Sequence, residues 1–405
     1  MEVRAGYKKS ELGLIPDNWE VKELGSIGEV KMCRRIFNHE TKSIGAIPFY
    51  KIGTFGKEAD AYISQNLYNE YRQKFSFPNK GDILISAAGT IGRTIIYDGE
   101  DAYFQDSNIV WIDNKLSVIS NAFLYHIFQV VKYNTEGGTI QRLYNSILKA
   151  TKFVCPSNPE QIAITNALSD ADNLVKGLEK LIVKKRNIKQ GAMKKLLQPR
   201  ENWVENKLVE LTKIFTKQTG FDYTAYIKPS LVKYRTEDTL PFIQNKDFNN
   251  KWINLDTDYF IPKSVALQFP KILLNEKSLL ISISGSVGNV GVFESNELAF
   301  IGGAVAILKF KEPDLIDWVM LYLKSDKGQK KIFDNVKAGS HQNLILDDIR
   351  KIEILFPPSK EQTRITTVLS DMDAEITALE TKLEKYKNVK LGMMQNLLTG
   401  KIRLV

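Results

Sequence analysis

The chain has 405 residues, 43% hydrophobic and 25% charged, with a formal net charge of +9. That composition excludes a disordered chain, and the length suits two or three domains with real cores. Two cysteines exclude a disulfide framework, and the lack of any run of about 18 apolar residues excludes a membrane-spanning helix.

The opening stretch MEVRAGYKKSELGLIPDNW lacks the apolar run of a secretory signal, so a cytoplasmic protein is expected. DNWEVKEL (17–24) reads as a strand start anchored by a buried Trp19. Cys33 and Cys155 read as buried small apolar residues. IPFYKIGTF (47–55) follows, then the short β-branched runs GDILIS, TIIYD and NIVWI, bounded by Gly, Asn and Asp and hence strands. The spacing of NAFLYHIFQVVKY (121–133) predicts a helix. After Pro156, with Glu160 and Gln161 suiting the positive end of the dipole, a long helix begins. Its apolar stripe runs through Leu168, Ala171, Val175, Leu178, Ile182, Ala192 and Leu196.

The same order then returns. ENWVENKL (201–208) matches DNWEVKEL, and LPFIQNKDF (240–248) faces IPFYKIGTF. The block 276–308, with SLLISIS and AVAILKF as strands, matches 80–112, and DLIDWVMLYLKSD (314–326) reads as a helix. Residues 156–197 align without gaps on 357–398, with 18 of 42 positions identical. The second stripe runs through Leu369, Met372, Ile376, Leu379, Leu383, Met393 and Leu397. The chain is a tandem duplication. Stripes over about five heptads predict a coiled coil, each helix about 55–60 Å long, most simply antiparallel about a pseudo-twofold axis.

These residues resemble the specificity subunits of type I restriction–modification enzymes over nearly the whole chain. The resemblance is carried by IPDNWEVKEL, KGDILISAAGTIG, GGTIQRLYNSIL, the PxxxEQ helix start, and the helix ends GAMKKLL and GMMQNLL, in an order that repeats. It implies an α+β fold: two similar target-recognition domains separated by two long helices. Residues 1–155 would form the first domain, 156–198 the first helix, 199–356 the second domain and 357–405 the second helix and tail. It further implies a non-catalytic DNA-binding subunit. Each domain would read half of a bipartite, gapped sequence in double-stranded DNA. The helices would dock two methyltransferase subunits, and restriction and translocase subunits would join them. S-adenosylmethionine and ATP would sit on those partners, with no cofactor or metal in this chain. The reading from another class is a coiled-coil adaptor whose repeated domains bind protein.

Several residues are placed to touch DNA. The turns Gly89–Gly92 with Arg93 and Gly285–Gly288 with Asn289 follow strands; they suit a close approach to phosphates or bases, or equally a plain tight turn. Lys51 and Thr54, with Gln244, Asn245 and Asp247, follow the Pro-Phe step, where Asn and Gln match adenine; solvated polar residues fit there too. The segment Gly138-Thr139-Ile140-Gln141-Arg142 recurs as Gly339-Ser340-His341-Gln342-Asn343, and a shared place in the repeat favours a DNA contact by both. Lys31, Arg34 and Arg35 beside Phe37 form a basic cluster suited to phosphate, or a solvated face. The run Lys184, Lys185, Arg186, Lys189, Lys194, Lys195 reads more simply as a soluble helix face.

No active site emerges. Phe356-Pro357-Pro358-Ser359 lacks the flanking residues of an aminomethyltransferase motif and ends a strand. The glycines at 285, 288 and 291 do not make GxGxxG, and no GxxxxGK[ST] is present. Asp17 and Glu20 stand three residues apart on a surface strand and would not converge on a metal. His39, His126 and His341 share no metal-ligand spacing, and His126 reads as a satisfied core residue.

Overall fold

The computed structural model describes residues 4–115, 118–133, 142–334 and 343–404. They fall into two compact units, Met1–Lys180 with Glu380–Val405 and Leu181–Leu379. The division cuts through both long helices, Asn158–Leu196 and Ser359–Leu397, rather than at their ends. The cause lies in the cores. The first domain packs on Ile164 and Leu168 of one helix and on Met394 and Leu397 of the other. The second domain packs on Ile365 and Leu369, with Met193 and Leu196 alongside.

In the first unit an antiparallel sheet runs in the order Gly28–Lys31, Ile109–Asn114, Ile83–Ser86, Thr94–Ile96. Leu84 faces Trp111, and Ile85 faces Thr94. Alternation divides its side chains between two cores. Ile83, Ile85, Val110 and Ile112 point into the core shared with the helices. Leu84, Ile109 and Trp111 point into a second core beneath the small sheet Tyr62–Ile63, Ile47–Tyr50, Tyr103–Phe104. A sheet covered on both faces needs continuous apolar strands, which is why GDILIS and NIVWI show no polar face.

The second unit repeats the plan. Thr212–Lys217, Val305–Phe310, Ser278–Ser282 and Val290–Phe293 are adjacent in that order, extended by Trp252–Ile253 and Phe248–Asn249. Leu279 and Leu308 face the core shared with the helices, Leu280 and Ile307 the other. Each domain starts and finishes on one ribbon: Glu20–Glu23 pairs with Lys152–Cys155, and Val204–Lys207 with Glu353–Phe356. The chain therefore leaves each domain beside its entry point and passes directly into a long helix.

The helices pair antiparallel within each unit. Asp172 meets Lys390 at 2.5 Å and Glu179 meets Lys387 at 2.8 Å in the first; Lys185 meets Glu375 at 2.6 Å and Lys189 meets Asp373 in the second. Leu168, Leu178, Ile182, Leu369, Ile376 and Leu397 of the two stripes are buried. The helix expected over 121–133 closes earlier, at Phe128. Val130 and Val131 follow, and adjacent β-branched residues lose side-chain freedom in a helix. Cys33 and Cys155 are buried, and burial pushes the Cys33 thiol up to about 12, which keeps it protonated. Among the described residues, no helix is long and apolar enough to cross a membrane.

Candidate nucleic-acid interface

The glycine turns have one construction in both domains. Ser86, the last residue of its strand, donates through Oγ to the Thr90 carbonyl and accepts from the Arg93 amide at 2.8 Å. Ser282 does the same with the Ser286 carbonyl and the Asn289 amide. Gly89 and Gly92 have φ of +65° and +80°, and Gly285 and Gly288 +75° and +86°. Those angles belong to the left-handed region, so the turn itself requires glycine. Gly92 carries a second constraint. A Cβ there would lie 2.8 Å from the Tyr133 ring, and one on Gly288 would lie 3.0 Å from the Phe333 ring. The serines and the aromatic plugs escaped the sequence reading, although Ser86 and Ser282 occupy matching positions of the repeat.

Two further segments converge on each turn. Arg142 bridges to Ala88, and Asn343 bridges to Ser284, so the returning chain lies against the strand end in both domains. The loop after the Pro-Phe strand approaches from the other direction. Ile52 is 3.6 Å from the position of a Gly89 Cβ, and the Asn245 side chain 3.2 Å from that of Gly285. Asn245 donates from Nδ2 to the Ser284 carbonyl. Segments near 52, 89 and 142, and near 245, 285 and 343, thus form one edge of each domain. Thr139, Gln141, Ser340, His341 and Gln342 lie outside the described residues.

Within that edge the candidates differ. Arg142, Asn289 and Asn343 are exposed; Lys51, Thr54, Arg93, Gln244 and Asn245 are half-buried. The Thr54 hydroxyl accepts from the Lys51 amide and donates to its carbonyl, which closes the loop, and the Lys51 ammonium pairs with Asp60 at 2.9 Å. Asp247 corrects the expectation. It is 4% exposed, and its carboxylate accepts from the Gln244 amide at 2.7 Å, so it shapes the loop and offers nothing to a base. Burial pushes its carboxyl up from the usual range.

The residues of the basic cluster at 31–35 each have a partner within the domain. Lys31 pairs with Asp113 at 2.5 Å, Arg35 with Asp106 at 2.8 Å, and the Arg34 guanidinium lies 5.3 Å from the Phe75 ring centroid. Arg93 has a different environment. Its Nη1 donates to the Phe55 carbonyl at 2.9 Å, and no carboxylate lies within ion-pair distance among the described residues. Lys57, which the sequence reading passed over, lines a cavity together with Arg93.

Away from this edge, the Glu-Gln pair opening the first long helix fastens helix to domain. Glu160 is fully buried, accepts from Trp19 Nε1 at 2.8 Å, and takes a two-pronged bond from Arg403 at 2.9 and 2.8 Å. Gln161 donates to the Val118 and Pro156 carbonyls. His126 is buried as expected, but not satisfied: its Nδ1 has no partner among the described residues. Burial holds it below the usual imidazole range. Lys185 and Lys189 of the basic run are spent on cross-helix pairs.

The family model for the type I restriction modification DNA specificity domain matches twice, at residues 16–185 and 200–387. A type I restriction enzyme specificity subunit of Haemophilus influenzae is 54% identical over 173 residues, 42% of this chain and 45% of that protein. The MjaX specificity subunit of Methanocaldococcus jannaschii is 25% identical over 98% of this chain and 97% of its own length. In fold, the S subunit of a type I restriction–modification system from M. genitalium has a TM-score of 0.58 at 16% identity, covering 94% of this chain and 96% of its own. A second solved chain, from work on assembly and conformational transition of a type I system, reaches 0.57 at 14% identity, covering 96% and 99%.

Proposed function

The chain belongs to the type I restriction–modification specificity family, and we propose that each of its two domains reads one half of a bipartite, gapped DNA sequence. One observation carries this reading. Both domains build the same serine-braced glycine turn between the same two neighbouring segments, yet dress it differently. Ile52, Arg93 and Arg142 stand in the first where Asn245, Asn289 and Asn343 stand in the second. A shared frame with different side chains suits two readers of different sequence, because base edges are told apart by side-chain donors and acceptors. Two linked readers gain affinity from effective concentration.

The chain itself performs no chemistry in this reading. Methyltransferase subunits dock on the long helices, supply S-adenosylmethionine, and methylate adenine at the site the chain selects; ATP-driven translocase and restriction subunits complete the assembly. The exposed apolar residues Leu174, Leu181, Val183, Ile188, Val368, Val389 and Leu391 on the helices support such docking. Sequencing modified adenine in the source genome, with and without this gene, tests the proposal. Loss of methylation at one gapped motif is expected. Unchanged methylation, with the chain and a methyltransferase both expressed, sinks it and favours a protein adaptor.

A further inference from the structure

In the first domain the loop at 52–57 and the glycine turn enclose a cavity of about 280 Å³, lined among others by Ile52, Lys57, Ser86, Thr90 and Arg93. We propose that this cavity grips a backbone phosphate of the DNA duplex through Arg93 and Lys57, and that the second domain has no counterpart. The inference rests on the chain being a DNA-specificity subunit.

Of the cations near this edge, Lys31, Arg35 and Lys51 each face a carboxylate within 2.9 Å, and Arg34 and Arg142 do not line the cavity. Arg93 and Lys57 have no carboxylate within 4.0 Å among the described residues, and the acids Asp98, Glu100 and Asp101 line an adjoining cavity with Lys57. The Phe55 carbonyl that accepts from Arg93 Nη1 orients the guanidinium without neutralising it. The remaining nitrogens, Nε and Nη2, have no partner among the described residues, which leaves a fork of the kind that matches a phosphate. The Ser86 hydroxyl is spent on the turn, and no acidic side chain lines the walls. Two uncompensated cations in a concave site focus positive potential, which attracts an anion. An arginine tethered at its tip to its own domain reaches less far toward a base edge than a free one, so the phosphate is the contact its geometry favours.

The second domain rearranges the same place. Asn245 stands where Ile52 does and gives its amide to the Ser284 carbonyl. The position of Arg93 is held by the neutral, exposed Asn289, and Lys246 is paired with Asp258.

Fluorescence anisotropy on the full chain tests this. The probes are two labelled duplexes, one carrying the motif whose methylation depends on the gene and one of random sequence, titrated at several salt concentrations. Arg93→Ala and Lys57→Ala are each expected to lower affinity for both duplexes by the same factor, about five- to tenfold. Each should also flatten the slope of log K against log salt by about one. Arg93→Lys should keep the slope. Lys57 is exposed, so its variant reports even if Arg93→Ala fails to fold. An unchanged slope in Lys57→Ala, or a loss confined to the motif duplex, overturns the phosphate site. A wild-type chain with no preference between the duplexes overturns the DNA-reading role instead, and the slopes still judge the cavity.

Discussion

Glu160 shows how much one side chain can hold. It is fully buried in the first turn of its helix, and Arg403 reaches it with two bonds from 243 residues away in sequence. Removing one partner leaves a buried carboxylate uncompensated. Arg403→Ala is therefore expected to destabilise the first unit by about 2–4 kcal/mol in chemical denaturation, while a surface arginine such as Arg72 should cost under about 1 kcal/mol. His126 makes a pH prediction. Burial depresses its folded pKa, and the unfolded value is about 6.5. The unfolded chain thus binds the proton first, so stability is whole above about pH 6.5 and falls as pH drops toward the folded pKa. Melting temperatures from pH 8 to 5 should decline more steeply in the wild type than in His126→Leu. Legibility at this scale was uneven. The burial of Trp19 and His126 could be read from apolar surroundings, but Arg403 could not be matched to Glu160, because no local spacing joins them. Asp247 looked like a DNA contact because its residue type is the same whether it faces solvent or caps a loop.

The turn and the helix pair are elements whose geometry carries consequences of its own. Alanine at Gly92 meets both a positive φ and the Tyr133 ring, so Gly92→Ala should cost about 1–3 kcal/mol. At Gly89 the nearest side-chain atom is 3.6 Å away, so Gly89→Ala should cost only the backbone term of about 1–2 kcal/mol. Urea titration of the two variants checks the order. The cross-helix pair Asp172–Lys390, with side chains 19% and 20% exposed, fixes the helix register. Asp172→Lys and Lys390→Asp should each destabilise and the swapped double variant recover about 1 kcal/mol or more, measured as a double-mutant cycle. The strands, the long helices and their antiparallel pairing were readable because hydrophobic period and repetition act locally. The convergence of three loops on each glycine turn was not. It depends on strand order in the sheet, which residue type does not encode.

Duplication organises the molecule. Each domain closes on its own ribbon, Glu20–Glu23 with Lys152–Cys155 and Val204–Lys207 with Glu353–Phe356. Each then seats on equivalent helix residues, Ile164 and Leu168 in one unit and Ile365 and Leu369 in the other. The tandem repeat made this visible in sequence, where the offset of 201 between the helices also relates these two pairs. What it could not show was that the compact units divide the helices midway, because each domain's core draws on both. Equivalent seats make the domains exchangeable, and exchange isolates the central claim that each reads its half alone. The direct measurement is adenine-methylation sequencing of cells in which residues 201–356 are replaced by a second copy of 17–155, beside the methyltransferase proposed as its partner. The account predicts a new gapped motif in which both halves carry the first domain's recognition sequence. Persistence of the original second half after its domain is gone would contradict it.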